Sequence, residues 1–169
     1  LKNTVNEFPN KEFNIEGYPS EEFCNIVCNI QPHQVTLVPD PPEALTSSFG
    51  WSLPDQTSFL EPIIKRFQKH NIRVSIFIDP NPSIINHITA TGTNNVELYT
   101  YDYVHQYHND KNQAIKTYKE CAEKLKKLNI SINAGHDLNL DNLTFLIKQI
   151  PAIQEVSIGH ALVCDALQV

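Results

Sequence analysis

At 169 residues, 41% hydrophobic and 19% charged, the chain has the composition of a globular protein that buries roughly two-thirds of its unfolded surface around one core. Its formal net charge of −6 argues against nucleic acid as a partner and leaves small phosphorylated ligands open. No apolar run reaches membrane-spanning length and the first residues lack signal-peptide character, so no membrane partner and a cytoplasmic location are expected.

Phe13 to Glu16 is the first strand candidate, closed by Gly17, Tyr18 and Pro19. Ser20-Glu21-Glu22 then puts acidic side chains in the first turn of a helix whose apolar face is Phe23, Ile26, Val27 and Ile30. Gln34 to Val38 is the second strand, ended by Pro39 to Pro42. The long stretch from Glu43 to Asp55 carries Thr46, Ser47, Ser48, Gly50 and the single Trp51, and reads as a lid or ligand loop. Ser58-Phe59-Leu60-Glu61 has the form of a capping box opening a helix with Ile63, Ile64 and Phe67.

Arg73 to Ile78 is a third strand, rich in β-branched and aromatic residues, and a short helix with Ile84, Ile85 and Ile88 follows Asn81-Pro82. Asn95 to Thr100 is a fourth strand with Glu97 in its middle. A carboxylate there is either turned inward for function or outward into solvent. Tyr101 to Lys111 reads as a solvated loop; His105 and His108 have metal-pair spacing without a third ligand nearby. Asn112 to Leu128 is the longest helix, stopped at Asn129. Cys24, Cys28, Cys121 and Cys164 read as buried apolar residues of a reducing compartment.

The fifth strand begins at Ser131 and ends abruptly on Gly135-His136, with possible helix N-caps from Asp137 to Asp141. A sixth begins near Glu155 and ends on Gly159-His160. One histidine after a strand is commonly structural; a repeated Gly-His at successive strand ends points to function. Six strands alternating with helices imply right-handed βαβ crossovers and a parallel sheet. No Gly-rich dinucleotide fingerprint or P-loop follows any strand. The expected fold is therefore α/β, a TIM-type (β/α)8 barrel present as six parallel βα units, with residues 1–169 forming one partial barrel domain.

Six colinear stretches carry a resemblance: Asn14-Ile15-Glu16, Thr36-Leu37-Val38-Pro39, Ser75 to Asp79, Val96 to Thr100, Asn133-Ala134-Gly135-His136 and Ser157 to Ala161. Together they resemble the pyridoxine 5′-phosphate synthases of vitamin B6 synthesis. That family joins 3-amino-2-oxopropyl phosphate to 1-deoxy-D-xylulose 5-phosphate, closing a pyridine ring with loss of phosphate and water. The resemblance implies Glu16 as general base, His136 as general acid and Glu97 as transition-state stabiliser. It implies substrate contacts at Thr46, Asp137, Gly159 and His160, no metal or organic cofactor, and a homo-oligomer for the full-length family.

The sequence also departs from the family. Asp137 stands in the family's glycine-rich turn, and Thr46 to Trp51 differs from the usual Thr-Thr-Glu-Gly-Gly. The family's first two strands, with their histidines and arginines, and its closing helix have no counterpart. An incomplete barrel is expected, with two unpaired edges, an uncovered apolar interior and little or no turnover by this chain alone. A non-catalytic remnant or scaffold is the competing reading. A Schiff-base aldolase ranks below both, because no lysine lies in a strand core.

Overall fold

The computed structural model describes residues 2–8, 10–41, 43–44 and 46–168. Pro42, expected to help end the second strand, lies outside them. The elements are α1 (Lys2–Asn6), β1 (Asn14–Gly17), α2 (Glu21–Ile30), β2 (Gln34–Leu37), α3 (Thr57–Lys69), β3 (Arg73–Ile78) and α4 (Ile85–Ile88, continued as a 3-10 turn over Thr89–Thr91). They continue as β4 (Asn95–Tyr99), α5 (Tyr101–Lys127), β5 (Ser131–Gly135), α6 (Leu140–Gln149), β6 (Ile153–Ser157) and α7 (His160–Leu167). All five strand pairings are parallel and the strand order is sequential, β1 to β6.

The sheet is curled. In a flat sheet β2 and β6 would lie about 19 Å apart, four spacings of 4.7–4.9 Å. Yet Gln34 Nε2 on β2 donates to Glu155 Oε2 on β6 at 3.0 Å, and Arg73 on β3 meets Glu155 at 2.8 Å. Six consecutive βα units rolled in this way are an incomplete TIM-type barrel. Among the described residues β1 and β6 each pair on one side only, as expected.

Period-two alternation sorts each strand into two faces. Val35, Leu37, Val74, Ile76, Ile78, Val96, Leu98 and Ile132 turn outward and are buried beneath Leu60, Ile64 and Phe67 of α3 and Tyr118, Cys121 and Leu125 of α5. The concave face carries Glu16, Gln34, Thr36, Arg73, Ser75, Asn95, Glu97, Asn133 and Glu155. The expected apolar interior is thus corrected: most of the apolar strand residues went to the helix side, and the interior is mainly polar, with Phe77 turned inward opposite Glu97.

Several local expectations are revised. Residues 101–109 are helical rather than a loop. The helix breaks only at Asp110 (φ −156°, ψ 94°), whose Oδ1 accepts from the Asn112 and Gln113 N–H groups at 3.0 Å and so caps the second segment. Helix α3 starts one residue before the expected capping box, with Gln56 as N-cap, because the turn from Ser52 runs straight into it. Ile26, Ile30 and Phe59 stay exposed on their helices, and Cys164 is exposed on α7 rather than buried. Ser20 does cap α2 through the Phe23 N–H, and Asn139 caps α6 in a reciprocal box with Asn142.

Candidate active site

The carboxyl ends of the strands open onto one cavity of about 960 Å³. Glu16, Thr46, Glu97, His136, Asp137, Gly159 and His160 all line it, reached from four strand ends and one loop.

Alternation along β4 turns Glu97 inward, where it is 2% exposed. This decides between the two orientations left open by the sequence. Its carboxyl lies over Gly135: a Cβ on that glycine would sit 2.0 Å from Glu97 Oε1 and 2.9 Å from Ser157 Cβ. Glycine is needed there for close approach, not for an unusual backbone angle. Burial pushes the Glu97 carboxyl up to about 8, the charge of Glu16 adds to this, and a hydrogen bond from Ser157 opposes it. Glu16, on edge strand β1, keeps an accessible surface. Loss of water against the cavity walls nevertheless raises its carboxyl, and Asp40 raises it further.

His136 and Asp137 form a tight turn after β5 with φ of 94° and 57°, the left-handed region that side chains with a Cβ resist. Buried Thr100 holds that turn. Its hydroxyl donates to the Gly135 carbonyl at 2.7 Å and also reaches the His136 carbonyl, while its N–H donates to Gly135 at 2.9 Å. The imidazole stands edge-on to Tyr99, with ring centroids 4.8 Å apart. Nε2 lies 3.1 Å from Thr46 Oγ1. Nδ1 lies 3.0 Å from Asp137 Oδ2, but in an orientation that makes no hydrogen bond, so it has no partner among the described residues.

The loop expected to be a lid has two halves. Gly50-Trp51 is built into the core: Trp51 is buried, its indole N–H donates to the Leu37 carbonyl at 2.8 Å, and its backbone N–H donates to Phe77 at 2.9 Å. Thr46 to Ser48 instead spans the cavity mouth, held where Asp40 Oδ1 accepts from the Ser48 N–H and hydroxyl at 2.9 and 3.0 Å. Leu45 lies outside the described residues. Gly159 and His160, at the start of α7, are exposed. Gly159 has φ −112° and a Cβ there would meet nothing, so the chain's own packing does not require glycine.

Sequence reasoning missed Asp40, Thr100, Tyr99 and Ser157. Each stands at or just beyond a strand's carboxyl end, the signal that exposed His136 and could have exposed them. Among the described residues the cavity lining contains no lysine or arginine. No group of three His, Cys, Asp or Glu among them is placed to hold a metal, and no helix is long and apolar enough to cross a membrane.

Residues 1–169 match the family described as pyridoxal phosphate biosynthesis protein PdxJ. The pyridoxine 5′-phosphate synthase of Cytophaga hutchinsonii is 53% identical over 156 residues, and that of Parabacteroides distasonis 48%. Each alignment covers 92% of this chain and 66% of the relative, so the chain spans just under two-thirds of the relatives' length. Among solved structures, a Thermobaculum terrenum O-GlcNAc hydrolase has a TM-score of 0.56 at 13% identity, covering 84% of this chain and 39% of its own. A xylose isomerase domain protein from Planctomyces limnophilus has 0.53 at 9%, covering 86% and 64%. Those two likenesses speak to fold alone. The match over the full chain and the identity to the synthases together place this chain in the pyridoxal phosphate biosynthesis protein PdxJ family.

Proposed function

We propose that this chain, as one partial barrel domain, carries the acid–base half of a pyridoxine 5′-phosphate synthase site. The reaction is condensation of 3-amino-2-oxopropyl phosphate with 1-deoxy-D-xylulose 5-phosphate. Its steps require repeated proton removal and delivery at adjacent carbons. Glu16 serves as general base, its carboxyl raised by the crowded walls so that it both takes and returns protons nearer neutrality. His136 serves as general acid through Nε2, which stands 3.1 Å from the Thr46 hydroxyl. Glu97, neutral below about pH 8, donates a hydrogen bond to developing negative charge.

Asp137, Gly159 and His160 form the phosphate-side contacts, with open space at Gly159 admitting an anion to the backbone. The observation that carries the reading is the convergence of two raised carboxyls and an imidazole on one cavity. The absence of lysine and arginine from the lining, among the described residues, supports the further point that this chain turns over little by itself, since two phosphorylated substrates need cationic donors. Assembly of the full-length family as a homo-oligomer and a cytoplasmic location go with the same reading, and no nucleic-acid or membrane partner is part of it.

The test is product formation, read by mass spectrometry, from the 169-residue chain and from a chimera in which the remaining third is supplied by the Cytophaga hutchinsonii synthase. The chimera is expected to make pyridoxine 5′-phosphate, with Glu16→Gln and His136→Asn each lowering kcat by about 10²–10⁴-fold. Full turnover by the isolated chain, or a chimera indifferent to both substitutions, would overturn the reading. A scaffold role is favoured by one separate observation: Leu162, Val163 and Leu167 of α7, the helix that follows β6, are 60–81% exposed.

A further inference from the structure

Asp40 follows β2, at the end of the barrel where the cavity opens, and is 6% exposed. Its two oxygens have different surroundings. Oδ1 accepts both the N–H and the hydroxyl of Ser48, two residues beyond Thr46, whose own hydroxyl meets His136 Nε2. Oδ2 is shut off from solvent and has no hydrogen-bond partner among the described residues. A buried carboxylate oxygen without a donor is unfavourable, and structures rarely keep one without a use. Asp40 and Glu16 line the same cavity.

We propose that Asp40 is a positioning residue for both members of the acid–base pair. One oxygen tethers the loop that brings Thr46 to His136; the other, buried and without a partner among the described residues, belongs to a carboxyl that shares its cavity with Glu16. The proposal rests on reading Glu16 and His136 as that pair, and it goes beyond it by naming what sets their working state. Asp40 is not asked to touch substrate. Asp40 also contributes to the raised carboxyl of Glu16. The other titratable groups lining the cavity are Tyr18 after β1, Glu97 from β4, His136 and Asp137 after β5, and His160 and Cys164 of α7. No cation from any of these elements screens the pair apart from whatever charge the imidazoles carry.

Carbon-detected NMR titration of the ligand-free 169-residue chain separates the two roles. It follows the Glu16 carboxyl and the His136 ring in wild type, Asp40→Asn, Asp40→Glu and Ser48→Ala. Asp40→Asn is expected to lower the Glu16 midpoint, and Asp40→Glu to keep it raised. Ser48→Ala is expected to shift the His136 ring resonances while leaving the Glu16 midpoint where it was. Should Asp40→Asn pack badly, Asp40→Ser repeats the charge test with a smaller neutral side chain. A Glu16 midpoint unmoved by either neutral replacement, or a His136 ring indifferent to Ser48→Ala, would overturn the proposal. Because these readouts need no turnover, failure of the chimera to make product would count against the functional reading alone.

Discussion

The barrel interior has a floor and a mouth, and the two treat carboxylates in opposite ways. At the floor, Arg73 Nη1 and Nη2 grip Glu12, Nη2 also meets Glu155 at 2.8 Å, and Nε donates to Gln34 at 2.7 Å. Asn133 and Gln34 complete the shell of Glu155, each at 3.0 Å. The guanidinium holds the Glu12 carboxyl below its ordinary value. At the mouth no cation stands among the described lining residues, and both Glu16 and Glu97 are raised. Paired charges give a floor that fixes strand positions. Unpaired ones give a mouth whose carboxyls keep their protons to higher pH than usual, the direction acid–base chemistry requires.

The sharpest way to break this contrast is Gly135→Ala. The new methyl would overlap Glu97 Oε1 and crowd Ser157, so Glu97 must leave its seat or β5 must shift. A loss of about 1–3 kcal/mol in denaturant unfolding is expected, together with loss of product formation in the chimera. Wild-type stability with unchanged turnover would mean that the Glu97 carboxyl does not rest over Gly135.

Thr100→Val comes next. It removes the hydroxyl that holds the left-handed turn at His136, and a loss of about 1–2 kcal/mol is expected, with Thr100→Ser restoring most of it. Amide exchange at His136 and Asp137 should quicken in the Val variant only.

The two regions should also pull the pH dependence of stability in opposite directions. Glu97 is raised, so its folded form binds more protons than its unfolded form. Its contribution is complete below the unfolded value of 4.5 and is lost as pH rises towards about 8. Glu97→Gln should therefore be more stable than wild type at pH 8 relative to pH 4.5. Glu12 is lowered, so its contribution is present above 4.5 and fades as pH falls through its depressed folded value. Glu12→Gln is the smallest effect: the pair is half exposed and screened, so under about 1 kcal/mol is expected, shrinking further in high salt. Unfolding curves of both variants across pH 3–9 check the opposed signs.

Much of this was legible in the chain itself. Alternation in Asn95-Val96-Glu97-Leu98-Tyr99 marks a strand with one apolar and one polar face, and the repeated Gly-His ends mark the mouth. Which face turned inward was not legible, because period two fixes alternation but not direction. Only the curl of the sheet, shown by Gln34 reaching Glu155, puts the polar face inside. The helix over residues 101–109 was hidden by its polar, aromatic composition. It is stabilised by tertiary contacts: Tyr103 is buried and its hydroxyl donates to the Asn142 carbonyl at 2.7 Å. Asp40 and Thr100 were passed over because their importance lies in what they hold, and partners distant in sequence leave no local pattern.

The most direct test of a mouth whose described lining holds no Lys or Arg, and of a buried Glu97 within it, is the titration midpoint of the Glu97 carboxyl in the 169-residue chain. A midpoint near 8 is predicted, with Glu12 titrating below 4.5 in the same spectra. A Glu97 midpoint near 4.5 would contradict the division between floor and mouth, and the acid–base assignment built on it.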